Sequence, residues 1–123
     1  MAVLAAAVAA WTFGALWYRL FGKAWMRAVG FAERLKPTPA PFVISFVAEL
    51  LTAGVLASVV QLLPNKAAVE LSVGLVAWIG LVLPTLTVNH RYQGDPWVLT
   101  AIDGGHRLGV LLIMGLVLGL FGA

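Results

Sequence analysis

Cysteine is absent and charge is scarce in this chain of 123 residues. Without cysteine there is no disulfide framework and no thiolate metal site. Charged residues make up 11% of the sequence and hydrophobic residues 62%, which exceeds the usual apolar share of a soluble domain. A soluble protein of this length has too little interior to hide so much apolar surface. The composition therefore indicates a membrane protein and not a nucleic-acid-binding one.

Four long, nearly uncharged stretches occupy most of the chain. Each approaches the roughly 20 residues that a helix needs to cross about 30 Å of hydrocarbon. The predicted spans cover about residues 2–20, 42–63, 69–88 and 98–121. We therefore expect an all-α integral membrane protein with four transmembrane helices in a single domain over residues 1–123.

The basic residues are unevenly distributed among the connections between these spans. Only Lys66 follows the second span, whereas seven others lie in or beside the connections after the first and third: Arg19, Lys23, Arg27, Arg34, Lys36, Arg91 and Arg107. Cytoplasmic loops carry such an excess of lysine and arginine. The pattern predicts that both termini lie on the non-cytoplasmic side.

The connection between the first two spans predicts a short amphipathic helix at the membrane surface. Over residues 21–36, apolar residues recur at spacings of three and four, at Phe21, Trp25, Val29, Ala32 and Leu35. Such a helix lies in the interface with its apolar face toward the acyl chains. We expect contacts with anionic lipid headgroups from Lys23, Trp25, Arg27 and Arg34. In an alternative interpretation, this segment is only a basic topology anchor.

Ionisable residues inside the spans are the candidates for chemistry. Glu49 lies in the second span, and Asp103 and His106 lie in the fourth. At 1.5 Å per residue, all three lie about 9 to 14 Å from the cytoplasmic ends of their spans. Charged groups are costly at such depth and normally face other helices, water or each other. We therefore predict an intramembrane polar cluster of these three residues with Arg107, Thr85 and Asn89.

Two interpretations of this cluster remain open. In one, Glu49, Asp103 and His106 relay protons or cations, because an imidazole beside a carboxylate exchanges protons near neutral pH. In the other, the cluster is a polar clasp that fixes the order of the helices.

Motifs for catalysis and for cofactor binding are missing from the sequence. There is no nucleophile elbow, phosphate loop, metalloprotease motif or pair of catalytic carboxylates. His90 is expected in a polar loop over residues 89–97, away from His106, which argues against a haem held by both. We expect no enzyme, no metal and no cofactor.

The fourth span carries two pairs of glycines at four-residue spacing, Gly105 with Gly109 and Gly115 with Gly119. Glycines on successive turns let another helix backbone approach closely. They predict a helix-association face, toward another subunit or within the chain's own bundle.

Several segments together resemble a bacterial family of membrane proteins known as domain of unknown function 1761. The resemblance rests on Leu16–Tyr18, Leu20–Met26, Trp78, Gly80, Pro84, Thr85, Asn89, Gly94–Trp97, Ala101–Gly104 and His106. It implies a compact four-helix protein that crosses the bacterial cytoplasmic (inner) membrane several times, and it implies no particular reaction.

Two hypotheses of function follow. The first is a structural or accessory subunit that binds lipid and associates through its helices, as a homo-oligomer or within a larger membrane complex. The alternative is a small oligomeric proton-coupled transporter that uses Glu49. Small multidrug exporters are expected to carry their essential glutamate in the first helix, which has no carboxylate here.

Overall fold

The computed structural model describes residues 1–30, 39–63 and 66–121, with the backbone alone over 66–70. Within these ranges every regular element is helical. In chain order they are α1 (Ala2–Val29), α2 (Pro39–Gln61), α3 (Lys66–Ala77), a π-helical segment (Trp78–Val82), α4 (Leu83–Tyr92) and α5 (Trp97–Leu120). Four stretches are long and apolar enough to cross a membrane: α1, α2, Leu71–Tyr92 and α5. The expected all-α architecture with four candidate spans is confirmed.

The first helix is longer than its predicted span. It continues without a break past residue 20 and ends where Gly30 adopts a left-handed conformation (φ 80°), with its N–H bonded to the carbonyl of Met26 at 2.9 Å. Glycine reaches this conformation without the steric cost that a Cβ imposes, and it often ends helices in this way.

The expected interfacial helix is therefore not a separate element in the described residues. Lys23, Trp25 and Arg27 belong to α1, because nothing before Gly30 breaks the helix. Arg34, the fourth expected lipid contact, lies outside the described residues.

The backbone hydrogen-bond pattern of the third span changes just before Pro84. Pro84 has no N–H, so a regular helix would leave the carbonyl four residues earlier without a donor. The π-helical turn lies just before it, and the N–H of Leu83 reaches back five residues to the carbonyl of Trp78. Such a turn redistributes the backbone bonds where no water is present to replace them. The helix then continues to Tyr92, four residues beyond the predicted end of the span.

Helix α5 is the centre of the bundle. It packs against α1, α2 and all three segments of the third span. Its buried residues include Val110, Met114 and Leu118, which form one core with small residues of α1 and with one face of α2. The other core members are Ala6, Ala7, Ala10, Ala53, Leu56 and Ala57. Alanine on α1 brings the two backbones close, which makes packing tight without any water-driven force between helices.

The glycines of α5 are used within the chain. A Cβ on Gly105 would lie 2.8 Å from Cζ2 of Trp17, and one on Gly109 would overlap the ring of Phe13. Both positions therefore receive an aromatic ring of α1. Of the second predicted pair, Gly115 is buried and Gly119 is partly buried.

We predict that Gly109→Ala destabilises the protein by about 1 to 3 kcal/mol, because the added methyl group forces the ring of Phe13 out of its place. The measurement is thermal unfolding in mild detergent, followed by circular dichroism. Gly54→Ala is the matched control, since a Cβ there meets nothing within 4 Å. Equal effects of the two substitutions would contradict the assigned packing.

Candidate functional site at the junction of α1, α4 and α5

Asp103 is the acceptor at the centre of a polar junction between three helices. It lies near the start of α5, and its Oδ1 atom accepts hydrogen bonds from the Tyr18 hydroxyl at 2.5 Å and from the indole Nε1 of Trp25 at 3.1 Å. Tyr18 and Trp25 are seven residues apart on α1, so they project from the same face two turns apart. Two turns of α1 are thereby attached to one carboxylate.

The second oxygen of this carboxylate faces α4. His90 is 6% exposed, and its Nε2 atom lies 3.5 Å from Asp103 Oδ2. The other ring nitrogen, Nδ1, lies 2.7 Å from the Thr100 hydroxyl oxygen. Arg91 donates to the same hydroxyl at 2.8 Å. A continuous chain of polar contacts thus leads from Arg91 through Thr100 and His90 to Asp103.

The two ring nitrogens of His90 face different partners. Nδ1 faces the Thr100 hydroxyl, whose oxygen also accepts from Arg91, and Nε2 faces the Asp103 carboxylate. A hydroxyl oxygen has two lone pairs and one proton, so it can either accept from Nδ1 or donate to it. In both arrangements the imidazole joins Thr100 to Asp103.

Two further indoles hold the backbone of α5 on either side of Asp103. Trp17 donates to the carbonyl of Ile102 at 3.0 Å, and Trp78 donates to the carbonyl of Gly104 at 2.8 Å. Buried tryptophan N–H groups usually find such partners. One indole comes from α1 and the other from the π-helical segment, so both neighbouring elements fix the height of Asp103.

The polar cluster predicted from the sequence is only partly assembled. Asp103 lies at the junction, but Arg107, Thr85 and Asn89 are exposed. Thr85 bonds the carbonyl of Leu81 in its own helix. Thr85 and Asn89 lie on the exposed face of the third span, because α4 turns His90 toward α5 instead, and Arg107 is exposed on α5.

The three side chains around Asp103, namely His90, Tyr18 and Trp25, are absent from the predicted cluster, as are Thr100 and Arg91. His90 was expected in a loop, and its burial follows from the extension of α4 to Tyr92. A signal was present, since Leu83, Leu86 and His90 recur at helical spacing on one face. Trp25 is expected from the sequence to contact lipid headgroups, and Tyr18 enters only through the family resemblance. Their seven-residue separation could have pointed to one shared partner.

His106 lies apart from Asp103, in an aromatic setting. Its ring packs edge-on against Tyr18 with centroids 4.8 Å apart, and a Cβ on Gly14 would come within 2.8 Å of its Nε2 atom. Glycine at position 14 is therefore what admits the imidazole between α1 and α5. The Nδ1 atom is buried without a hydrogen-bond partner.

Glu49 is buried on the core face of α2. It is 2% exposed, and its Oε2 atom has no hydrogen-bond partner. Within the described ranges, no hydrogen bond or ion pair joins Glu49 to Asp103 or His106, so the three predicted relay residues do not form one connected network. Those ranges also contain no group of three histidine, aspartate or glutamate side chains arranged to hold a metal ion.

The chain belongs to the family described as protein of unknown function, DUF1761, whose model matches residues 1–119. This confirms the resemblance carried by the aromatic, proline and glycine segments. No curated protein and no solved structure matches the chain.

We predict that Asp103→Asn lowers the free energy of unfolding by about 1 to 3 kcal/mol, because an amide oxygen accepts more weakly than a carboxylate. Thermal unfolding in detergent measures the change. Thr85→Val is the control, since its hydroxyl bonds only its own helix among the described contacts. If both variants unfold at the same temperature, the junction does not hold the three helices together.

Proposed function

We propose that this DUF1761 protein is a structural or accessory subunit of the bacterial inner membrane that acts by helix–helix association and carries out no catalysis. The uneven distribution of the basic residues supports an orientation with both termini on the non-cytoplasmic side. In that orientation the junction at Asp103 faces the cytoplasm. The exposed Lys23 and Arg27 on the last turns of α1 then lie where anionic headgroups are found.

The observation that carries this proposal is the unequal burial of the four spans. In the most apolar stretch of α5, 44% of the residues are buried, compared with 6% in the third span. An apolar groove of about 810 Å³ runs between α2 and the third span and is lined by residues such as Val55, Val76 and Leu81. These three side chains are each more than 60% exposed. The bundle is thus closed around α5 and open along this groove.

The groove is a better association surface than the glycines of α5. Gly105 and Gly109 already receive rings of α1, and Gly115 is buried. A partner helix cannot approach these positions unless α1 leaves. By contrast, Gly54 on α2 and Gly80 on the π-helical segment have open space where a Cβ would be. Small residues on an open face allow close approach of another helix.

We predict that Val76→Trp reduces association, because the indole fills the groove that a neighbouring helix would enter. The protein is extracted from its native membrane in mild detergent, and the molar mass of the assembly is measured by light scattering. The wild-type assembly is expected to exceed one chain and the variant to lose mass, with at least a tenfold weaker association.

The matched control is Val43→Trp, at a residue of α2 that is 60% exposed and outside the groove. It should leave the mass of the assembly unchanged. A wild-type protein that is monomeric in every mild detergent, or a loss of mass in both variants, would contradict association through the groove.

Glu49 favours a second candidate function, that of a small oligomeric proton-coupled transporter. A carboxyl group in a transmembrane segment is expensive and is functional more often than not. Here it is buried, and one of its oxygens has no partner. Buried polar atoms are nearly always paired, so an unpaired one calls for an explanation such as a transported ion or a water.

For this second candidate, Glu49→Gln is expected to abolish proton movement without unfolding the protein, because glutamine keeps the shape of the side chain but carries no exchangeable acid. Proteoliposomes containing a pH-sensitive dye measure the dissipation of an imposed pH gradient. Glu70→Gln, which removes an acid near the start of α3, is the control. Equal proton leak in wild-type, Glu49→Gln and protein-free vesicles would exclude the transporter.

A further inference from the structure

A cavity of about 660 Å³ opens beside the junction, between the end of α1, the turn after α4 and the first turns of α5. Its polar lining consists of His90, Gln93, Asp95 and Asp103, and the indole of Trp25 forms part of the wall. This volume lies within the range of small-molecule sites, which combine an aromatic wall with a few converging polar groups. The cavity is separate from the groove between α2 and the third span.

The charged residues that line the cavity are acidic, whereas the chain as a whole has a positive net charge. The protein has a formal net charge of +3, yet the described residues that line the cavity include two aspartates and neither lysine nor arginine. The nearest arginine in sequence, Arg91, is not among the lining residues. It donates to the backbone carbonyl of Asp95 at 3.0 Å, and its guanidinium stacks over Trp97 at 3.7 Å.

Asp103 accepts hydrogen bonds from two uncharged side chains at the edge of the cavity. Tyr18 and Trp25 donate to Oδ1, and Nε2 of His90 lies 3.5 Å from Oδ2. Because the hydroxyl and the indole are uncharged, their hydrogen bonds stabilise a carboxylate without cancelling its charge. The side chain is 20% exposed and borders the cavity. A carboxylate therefore borders an open space.

Trp25 contributes the second feature that selects a ligand. Its N–H is fixed on Asp103, so the indole is held in one orientation at the wall. An ammonium group over an indole face gains cation–π attraction, and aromatic residues with carboxylates are how proteins hold quaternary ammonium ligands. An inorganic anion would meet two carboxylates here, and an uncharged ligand would leave them unpaired.

We propose that this cavity binds the ammonium group of a small organic cation, with Asp103 and Asp95 as counter-charges and Trp25 as the aromatic wall. The source of the ammonium group is a free amine or the headgroup of a neighbouring lipid. The site is independent of the association proposed above, because it shares no lining residue with the groove.

The test uses the indole N–H of Trp25 as a reporter inside the cavity. The full chain is labelled with ¹⁵N in a non-ionic detergent. The Trp25 signal is identified among the five tryptophan signals as the one that Trp25→Phe removes. Choline chloride is then titrated, with potassium chloride at the same ionic strength as the reference. The Trp25 signal is expected to move in a saturable way with choline and to stay in place with potassium.

Asp95→Asn is the decisive variant, because the described residues show no hydrogen bond to its carboxylate and the junction does not depend on it. It should require at least about fivefold more choline for the same shift. Glu70→Gln removes the same charge near the start of α3, at the opposite end of the third span from Asp95, and should titrate like wild type. A persistent Trp25 signal shows that each variant keeps the junction.

Nanodiscs distinguish the two sources of the ammonium group. If a headgroup occupies the cavity, the Trp25 signal in phosphatidylcholine discs already lies at its choline-bound position and ignores added choline. If the ligand is free, the signal responds to choline in discs of phosphatidylcholine and of phosphatidylglycerol alike. No shift in detergent, an equal shift with potassium, or an unchanged titration in Asp95→Asn would overturn the proposal.

Discussion

The bundle depends on one carboxylate that three helices share. A polar side chain near hydrocarbon has few water molecules to satisfy it, so its partners have to come from the protein. Asp103 accepts hydrogen bonds from Tyr18 and Trp25 on α1, and His90 on α4 lies 3.5 Å from its second oxygen. Each bond is modest, since interhelical hydrogen bonds in membranes contribute about 0.6 kcal/mol on average. Because these side chains all meet at Asp103, they fix the rotation and the axial position of α1, α4 and α5 relative to one another.

Close packing below the junction follows from where the small residues lie. Gly14 admits the ring of His106, and Gly105 and Gly109 admit Trp17 and Phe13. Aromatic rings of α1 therefore pack against glycines of α5. The alanines that precede these rings on α1 continue the contact with α5 toward the N-terminus of α1. Without a hydrophobic force between helices in lipid, such contacts carry the association. The third span meets α5 at Gly74, Trp78 and His90 and leaves a groove on the side that faces α2.

The sequence predicts the spans well because hydropathy alone decides whether a helix is stable in a membrane. It predicts the ends of helices less well, since the end of α1 depends on a single glycine and that of α4 on the turn around Gly94. The error at α4 displaced His90 into a loop and drew Thr85 and Asn89 into the predicted cluster. Rotation about a helix axis is set by side-chain contacts with its neighbours. Composition and hydropathy do not contain those contacts and so do not predict the rotation.

The acidic side chains differ in whether their carboxyl oxygens have partners. Asp103 accepts two hydrogen bonds and lies 3.5 Å from His90, and a carboxylate is therefore compatible with a stable junction. Asp95 lies beside it on the turn after α4, where no donor to its carboxylate is found in the described part of the chain. Glu49 has an unpaired oxygen deep in the core. A chain selected for stability alone has little reason to keep Glu49, because burial of an unpaired carboxyl oxygen is costly. The unpaired oxygen of Glu49 is the physical reason to seek an ion at the core, and the carboxylate of Asp95 beside Asp103 is the reason to seek a cation at the cavity.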